Sequence, residues 1–213
     1  MEKSVENTFT DNNESETGVR RIAFVHHKGG TGKTTACLNI AGWLAKMAKQ
    51  VLVVDLDPQG NATTGLGIDR ESSQGNSIYE VLLGQRAMEE IILETDSNVY
   101  LAPSSLDLLA AEAYLAGQNN NRAILKENLA DIEEHFDYIL IDTPPGSTLL
   151  MSNGIVASGN IIVPLDSGVF AYEALETLKT FIIDLHEELG VETNVMMIVL
   201  YWFSVNRTSW FYG

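Results

Sequence analysis

Glycine, lysine and threonine residues between positions 28 and 35 form the pattern in this chain that is best suited to chemistry. The segment reads Lys28, Gly29, Gly30, Thr31, Gly32, Lys33, Thr34 and Thr35. It follows an apolar run and opens a helical pattern, which is the context of a phosphate-binding loop. Glycines let the backbone turn tightly and direct N–H groups at phosphate oxygens, and a helix N-terminus adds partial positive charge. All eight residues are therefore predicted to bind a nucleotide.

The side chains of this loop are predicted to have separate roles in nucleotide binding. Lys33 can reach the β- and γ-phosphates, the Thr34 hydroxyl can ligate Mg²⁺, and Thr35 is placed for the α-phosphate. The common form of the loop has glycine where His27 stands, and this one carries a second lysine, Lys28, five residues before Lys33. One phosphate chain does not need two lysines from one loop. The extra cation makes sense if it serves a nucleotide bound by a facing subunit.

Two predicted strand ends supply carboxylates. Asp142 follows four apolar or aromatic residues, a pattern typical of a Walker B acid, and we expect it to hold Mg²⁺ through a water near Thr34. Asp55 and Asp57 end a second apolar run, and residues two apart start on one face of an extended chain. Asp57 lies where strand becomes loop, so we predict that it orients the attacking water. Lys28, Lys33 and Asp57 are thus the predicted catalytic residues, and Thr34 and Asp142 the predicted metal ligands.

Histidine and cysteine side chains near the loop offer a weaker case for a metal site. His26 and His27 are adjacent, and neighbouring residues at a strand end are expected to point to opposite faces, so one ion would rarely contact both. Cys37 is the single cysteine, which excludes a disulfide framework and a cysteine-based zinc site within one chain. We therefore interpret the histidines as spacers and Cys37 as a small core residue.

Short apolar runs alternate with helical patterns along most of the chain. The predicted strands are residues 21–25, 51–55, 99–102, 138–142, 160–164 and 195–200. The predicted helices are residues 33–49, 106–116, 121–135 and 170–189. Continuously apolar strands suit a parallel sheet covered on both faces, so the alternation predicts an α/β, doubly wound, mostly parallel sheet flanked by helices, as in P-loop NTPases.

Composition divides the chain into three parts. Residues 1–20 are predicted to be a disordered acidic tail, residues 21–200 the P-loop domain, and residues 201–213 an irregular aromatic-rich end. The formal net charge is −16, and from Glu127 onward thirteen acidic residues face two basic ones. DNA binding stays open but is disfavoured by this charge. No apolar run is long enough for a membrane helix and no secretory signal is seen, so we predict a cytoplasmic protein without membrane attachment.

Three ordered motifs carry a resemblance to a known family. K-G-G-T-G-K-T-T, V-V-D-L-D-P-Q-G-N-A-T-T-G-L-G and Y-I-L-I-D-T-P-P-G resemble the ParA/Soj branch of the ParA–MinD family of deviant Walker ATPases. The resemblance runs from about Arg21 to Leu200. It implies that Lys28 is the lysine that reaches across an ATP-sandwich dimer, that Asp57 positions water and that Asp142 is the Walker B acid. The chain ends where the family continues, so the sheet is expected to be incomplete at its C-terminal edge.

The resemblance implies a function and leaves alternatives. It predicts a partition ATPase that binds Mg-ATP, hydrolyses it slowly and switches between dimer and monomer, with ATP and Mg²⁺ as cofactors and chromosome, plasmid or other cargo to move. The implied partners are a second copy of the chain and a ParB-like or other protein that stimulates hydrolysis. A small-molecule ligase of the cobyric-acid or dethiobiotin synthetase kind and a MinD-like positioning ATPase are the alternatives. The D-P-Q-G-N segment favours the switch over the ligase.

Overall fold

The computed structural model of the 213-residue chain describes residues 18–146, 148–166 and 171–201. Most of the predicted tail, 1–20, and all but the first residue of the predicted aromatic-rich end, 201–213, lie outside these ranges. So does Phe170, which the sequence places at the start of the last helix.

Within these ranges, seven strands form one sheet. They are β1 (Arg20–Phe24), β2 (Val51–Asp55), β3 (Leu93–Glu94), β4 (Tyr100–Ala102), β5 (Tyr138–Asp142), β6 (Asn160–Asp166) and β7 (Asn194–Tyr201). Their order across the sheet is β3-β4-β2-β5-β1-β6-β7. Every pairing is parallel except that of β3 with β4. Strand β1 lies inside the sheet, with β5, β2, β4 and β3 on one side of it and β6 and β7 on the other. Strands on both sides of β1 form the doubly wound arrangement predicted from the sequence.

Helices connect the strands and cover both faces of the sheet. They are α1 (Lys33–Lys46), α2 (Asn61–Gly65), α3 (Ile78–Leu82), α4 (Met88–Ile91), α5 (Leu108–Leu115), α6 (Ile124–Ala130), α7 (Leu149–Ser158) and α8 (Ala171–Leu189). Short 3₁₀ turns lie at Glu71–Ser73 and Glu133–His135. Helix α1 follows β1 directly, so its N-terminus lies at the carboxyl edge of the sheet.

Side-chain alternation in the central strands builds two cores. In β2, Leu52 and Val54 join one core and Val51 and Val53 the other, and all four are fully buried. Successive side chains of a strand point to opposite faces, so a strand buried on both faces has to be continuously apolar. The core that contains Val51 and Val53 packs against α1, through Ala36, Cys37 and Ala41. The position of α1 is thus determined by burial.

The predicted fold class is confirmed, and most element boundaries agree closely. β2 and β5 have the predicted bounds, and β7 begins and ends one residue outside them. The predicted helix 33–49 ends at Lys46, and the predicted helix 121–135 is broken into α6 and a 3₁₀ turn. On α8 the predicted stripe is buried at Ala174, Leu178 and Leu185, while Leu189 is 38% exposed.

The sequence analysis did not predict the short helices α2, α3 and α4, helix α7 or strand β3. Helix α7 carries Ser152, Asn153 and Gly154 in its middle and is buried along most of its length, so it shows no amphipathic period. A Cβ on Gly154 would lie 2.7 Å from Cγ2 of Thr143, so glycine lets α7 approach β5 closely. The antiparallel strand β3 has two residues, too few to leave a pattern. Among the described residues, no helix combines the length and the apolar character needed to cross a membrane.

Candidate nucleotide-binding site

The glycine-rich loop connects β1 to α1 at the carboxyl edge of the sheet. Gly30 and Gly32 have φ angles of 76° and 85°, a left-handed conformation that side chains with a Cβ rarely adopt. Gly32 is the N-cap of α1, and the N–H of Ala36 donates to its carbonyl at 2.9 Å. A Cβ on Gly29 or Gly30 would meet nothing within 4 Å, so the loop is open on its outer side. The loop therefore presents its backbone to an unfilled space at a helix N-terminus.

That space is a cavity of about 500 Å³. Its lining residues are Gly29, Gly30, Thr31, Gly32, Lys33, Thr34, Thr35, Asp57, Gln59, Asn61 and Pro145. Seven of the eight loop residues predicted to bind nucleotide thus line one cavity together with the predicted catalytic residue Asp57. Lys28 lies outside the lining and its side chain is exposed. This separation agrees with a lysine that acts on something other than the nucleotide held by its own loop.

Lys33 lies at the floor of the cavity and is 6% exposed. Burial lowers the pKa of its ammonium group, while the nearby carboxylates of Asp142 and Asp57 act in the opposite direction. Its Nζ donates to the carbonyl of Lys28 at 3.4 Å. A buried cation between two acids and an open cradle of amides is suited to receive the phosphate chain of a nucleotide.

Asp142 and Thr34 meet beside Lys33, as the sequence predicted. The Thr34 hydroxyl donates to Oδ2 of Asp142 at 2.6 Å, and Oδ1 of this fully buried carboxylate has no hydrogen-bond partner. Burial, followed by the charge of Asp55, raises the pKa of Asp142 from 3.8 to about 8. A buried oxygen without a partner is costly unless a ligand satisfies it. Hydroxyl and carboxylate oxygens are the ligands that Mg²⁺ prefers, so this pair fits the predicted metal.

Asp57 and Asp55 have separate roles, although they lie two residues apart. Asp57 is 7% exposed and lines the cavity, and its Oδ1 accepts the N–H of Gln59 at 2.9 Å. Asp55 is fully buried and accepts the N–H of Asp57 at 3.1 Å. Its other oxygen accepts both the N–H and the hydroxyl of Thr63 at 2.7 Å. Asp55 thus organises the loop that presents Asp57 to the cavity.

The neighbouring histidines differ from expectation in one respect. The rings of His26 and His27 stack, with centroids 5.1 Å apart and planes 17° apart, so the expectation that they point to opposite faces is wrong. Strand β1 ends at Phe24, so strand alternation no longer applies at these residues. Nδ1 of His26 accepts the N–H of Lys28 at 3.0 Å, which agrees with a spacer that shapes the start of the loop. Among the described residues, no group of three or more His, Cys, Asp or Glu side chains is arranged to hold a metal.

Cys37 has the core position that the sequence predicts. It is fully buried on α1, and burial raises the pKa of its thiol well above the usual value. A thiol that stays protonated is a poor nucleophile.

Sequence reasoning missed several residues of the site. Gln59, Asn61 and Pro145 line the cavity, and Thr63 and Ser104 hold the carboxylate loop from behind. The first three lie within the quoted motifs, so their position beside Asp57 and Asp142 was the available signal. Ser104 follows β4 without a motif, and only the alignment of parallel strand ends at one edge could have indicated it.

Fold and site together define a P-loop nucleotide-binding protein, and comparison with known proteins specifies which kind. The AAA domain family AAA_31 matches residues 19–196. The chain is 40% identical over 179 residues to the chromosome partitioning protein ParA of Myxococcus xanthus, and 34% identical over 180 residues to the sporulation initiation inhibitor protein Soj of Bacillus subtilis. The chain therefore belongs to the AAA_31 family and is related to ParA and Soj proteins, as the motifs predicted.

These alignments cover 84% of this chain but only part of each relative. They span 62% of the Myxococcus xanthus protein and 71% of the Bacillus subtilis protein. The chain thus spans about two thirds of the length of the curated relatives it matches.

A solved structure shows the same fold with ligands. Cobyrinic acid a,c-diamide synthase from Mycobacterium smegmatis, crystallised with bound ADP and magnesium and also with an ATP analogue and magnesium, superposes with a TM-score of 0.76 at 34% identity. The match covers 85% of this chain and 72% of that one. The ligands of that protein agree with the cofactors predicted here, ATP and Mg²⁺.

Proposed function

We propose that this protein is a cytoplasmic ParA-type ATPase that binds Mg-ATP, hydrolyses it slowly and uses the nucleotide to switch its self-association during partition of DNA or other cargo. One observation carries the proposal: a buried carboxylate oxygen of Asp142 without a partner lies beside the Thr34 hydroxyl, below an open cradle of glycine amides. The partition role is supported by relatives named for chromosome partitioning.

Each residue of the site has a role in this proposal. Backbone amides of residues 29–35 bind the phosphate chain, and Lys33 neutralises its β- and γ-groups. Thr34 and Asp142 would hold Mg²⁺, which supplies charge neutralisation at the phosphates when bound. Asp57 accepts a hydrogen bond from the attacking water and orients it in line. Phosphoryl transfer needs little beyond such positioning and charge neutralisation, and a site with few catalytic groups agrees with slow turnover.

The experiment compares ATP hydrolysis by the wild type and by Lys33→Ala, with Lys46→Ala as a control. Lys46 is exposed in the last turn of α1, away from the cavity lining. We expect Lys33→Ala to lower the steady-state rate by about 100-fold, because a buried cation at the phosphate is lost. The control should keep the wild-type rate. Equal rates for wild type and Lys33→Ala would contradict the proposal.

Lys28 tests the switch separately from hydrolysis. Its exposed side chain lies outside the cavity lining, so we propose that it reaches the nucleotide of a second copy. Lys28→Ala should then abolish dimerisation induced by a non-hydrolysable ATP analogue, as measured by light scattering, while nucleotide affinity of the monomer changes little. Dimerisation that persists in this variant would refute the trans-acting lysine.

The proposed partners are a second copy of the chain and a stimulating protein of the ParB kind. Binding to DNA should be weak and strongly dependent on salt, because the formal net charge is −16. Tight DNA binding at physiological salt would contradict this part of the proposal.

A small-molecule ligase is the second candidate, favoured by the likeness to cobyrinic acid a,c-diamide synthase. The two functions differ in what ATP consumption requires. A partition switch hydrolyses ATP without any acceptor, whereas a ligase consumes ATP in step with ligation of its acid substrate. Phosphate release by the purified protein alone therefore favours the switch, and release that depends on an added carboxylic acid favours the ligase.

A further inference from the structure

The turn that carries Asp57 is held from outside by an arginine. Residues 57–60 form the turn, closed by a hydrogen bond from the N–H of Gly60 to the carbonyl of Asp57 at 2.8 Å. Arg70 lies across it, and its Nη1 donates to the carbonyl of Gln59 at 2.7 Å and to that of Pro58 at 3.4 Å. None of the ion pairs formed among the described residues includes Arg70. Both of these hydrogen bonds of the guanidinium group go to carbonyls of the turn.

The stem of Arg70 packs on a position where only glycine fits. Gly60 has a φ of 64°, and a Cβ there would lie 2.5 Å from Cδ and 2.9 Å from Cγ of Arg70. A missing side chain thus lets the arginine lie directly on the backbone of the turn. Nε of Arg70 is buried there without a hydrogen-bond partner, and the hydrogen bonds of the guanidinium to the turn come from Nη1.

Peptide geometry links these contacts to the carboxylate. A trans peptide is planar, and its C=O and N–H point in opposite directions. The peptide between Pro58 and Gln59 presents its carbonyl to Arg70 and its N–H to Oδ1 of Asp57. The next peptide presents the carbonyl of Gln59 to Arg70 and the N–H of Gly60 to the carbonyl of Asp57. Arg70 therefore contacts the carbonyls of the same two peptides whose N–H groups hold Asp57.

The inner side of the turn is held independently. The Ser104 hydroxyl donates to the carbonyl of Asp57 at 2.7 Å, and the N–H of Asp57 donates to Asp55. These contacts fix the backbone of Asp57 but leave the orientation of its carboxylate to the N–H of Gln59. Asp57 lines the cavity, and the N–H that its carboxylate accepts belongs to the Pro58–Gln59 peptide. The carbonyl of the same peptide accepts a hydrogen bond from Arg70.

We propose that Arg70 is a positioning residue for ATP hydrolysis: it clamps the Asp57–Gly60 turn so that the Asp57 carboxylate is aimed at the attacking water. The inference rests on the proposed function, in which Asp57 orients that water. It assigns Arg70 no contact with the nucleotide. Its loss should therefore lower the turnover number and leave nucleotide affinity unchanged.

The test uses Arg70→Met, which keeps the length of the stem and removes the donors, and Arg70→Lys, which restores one donor. Arg86→Met is the matched control, because Arg86 donates to a loop carbonyl, that of Gly75, at 2.8 Å and lies outside the cavity lining. We expect Arg70→Met to lower kcat by about 10- to 100-fold, the effect of a small misplacement of a catalytic group, with the Kd for Mg-ATP within about threefold of wild type. Arg70→Lys should fall between the two, and Arg86→Met should match the wild type.

Two further measurements separate positioning from a general loss of structure. If Arg70 acts through Asp57, Arg70→Met should cause no further loss of kcat in an Asp57→Asn background. Amide hydrogen exchange in the nucleotide-free protein should speed up at Gln59 and Gly60 in Arg70→Met, by about tenfold or more, and not in Arg86→Met.

The outcomes are distinguishable. An unchanged kcat, a parallel loss of affinity, additive losses in the double variant, or unchanged exchange at Gln59 and Gly60 would each overturn the role of Arg70. Absence of hydrolysis in the wild type would overturn the proposed function instead. In that case amide exchange alone decides whether Arg70 orders the turn.

Discussion

The ends of β2 and β5 lie side by side in the sheet, with Asp55 in register with Asp142, yet the two carboxylates have different surroundings. Asp55 accepts three hydrogen bonds, from the N–H of Asp57 and from the N–H and hydroxyl of Thr63. Asp142 accepts one from the Thr34 hydroxyl, and its Oδ1 has none. Both are fully buried. One carboxylate is therefore satisfied by the protein, and the other keeps an oxygen for a ligand.

At equal burial, this difference distinguishes the acid that the protein saturates, Asp55, from the acid proposed to bind Mg²⁺, Asp142. Burial raises the pKa of both groups, to about 8 for Asp142 and to about 6 for Asp55, where the hydrogen bonds from Thr63 and Asp57 oppose the shift. The protein bears the cost of an incompletely solvated carboxylate only where a cation is expected. The comparison thus supports the assignment of Asp142, rather than Asp55, to the metal.

The largest expected effect comes from Asp142→Asn. The change removes a carboxylate ligand while keeping the shape of the side chain, so we expect a loss of Mg-ATP hydrolysis of about 100-fold or more, measured as phosphate release. The nucleotide-free variant should also be more stable than the wild type at pH 8, by about 1 kcal/mol, because a neutral amide replaces a carboxylate whose charged form burial disfavours. Asp137→Asn is the control, since Asp137 directly precedes β5, at the end opposite Asp142, and its side chain is 40% exposed. Full activity in Asp142→Asn would contradict the assignment of Asp142 to the metal.

Asp55→Asn should have the opposite effect on stability. An amide nitrogen would replace one of two oxygens that accept buried N–H or hydroxyl groups, leaving a donor unsatisfied. The expected loss is about 1–3 kcal/mol in the free energy of unfolding, measured by urea denaturation. A variant as stable as the wild type would show that the hydrogen bonds to Asp55 do not order the loop.

The pH dependence of the free energy of unfolding should also distinguish Asp142 from Asp55 in the nucleotide-free protein. Because burial raises both pKa values above the ordinary 3.8, the folded state holds more protons than the unfolded state between about pH 4 and 8. Stability contributed by these groups is therefore full below pH 4 and is lost as pH rises through 6 and 8. The slope is at most about 1.4 kcal/mol per pH unit for each extra proton. Urea denaturation from pH 5 to 8.5 should show a smaller slope between pH 6 and 8 in Asp142→Asn, and an identical slope would contradict the assignment.

Much of the fold could be predicted because local signals agreed with one another. The bounds of β2 and β5 follow from continuous apolar runs that end at a carboxylate. Helix α7 could not be predicted, because a helix buried along most of its length has no polar face to mark its period. Strand β7 was predicted from its apolar run, but it lies at the edge of the sheet and four of its side chains, Val195 to Ile198, are 45–53% exposed, which the run itself did not indicate. An apolar run in the sequence shows which side chains can be buried. Whether they are buried depends on the elements that pack against them.

The chain by itself determined the phosphate loop, because the loop consists of consecutive residues whose glycines, lysines and helix start act over a few peptide units. It also placed each acid at the end of a strand. Only the tertiary structure decided which acid stays open to a ligand. Thr63, eight residues from Asp55, saturates that carboxylate, whereas Thr34, 108 residues from Asp142, satisfies only one oxygen of the other. The reason is physical: parallel pairing brings distant strand ends to one edge, and hydrogen-bond partners there depend on which elements meet.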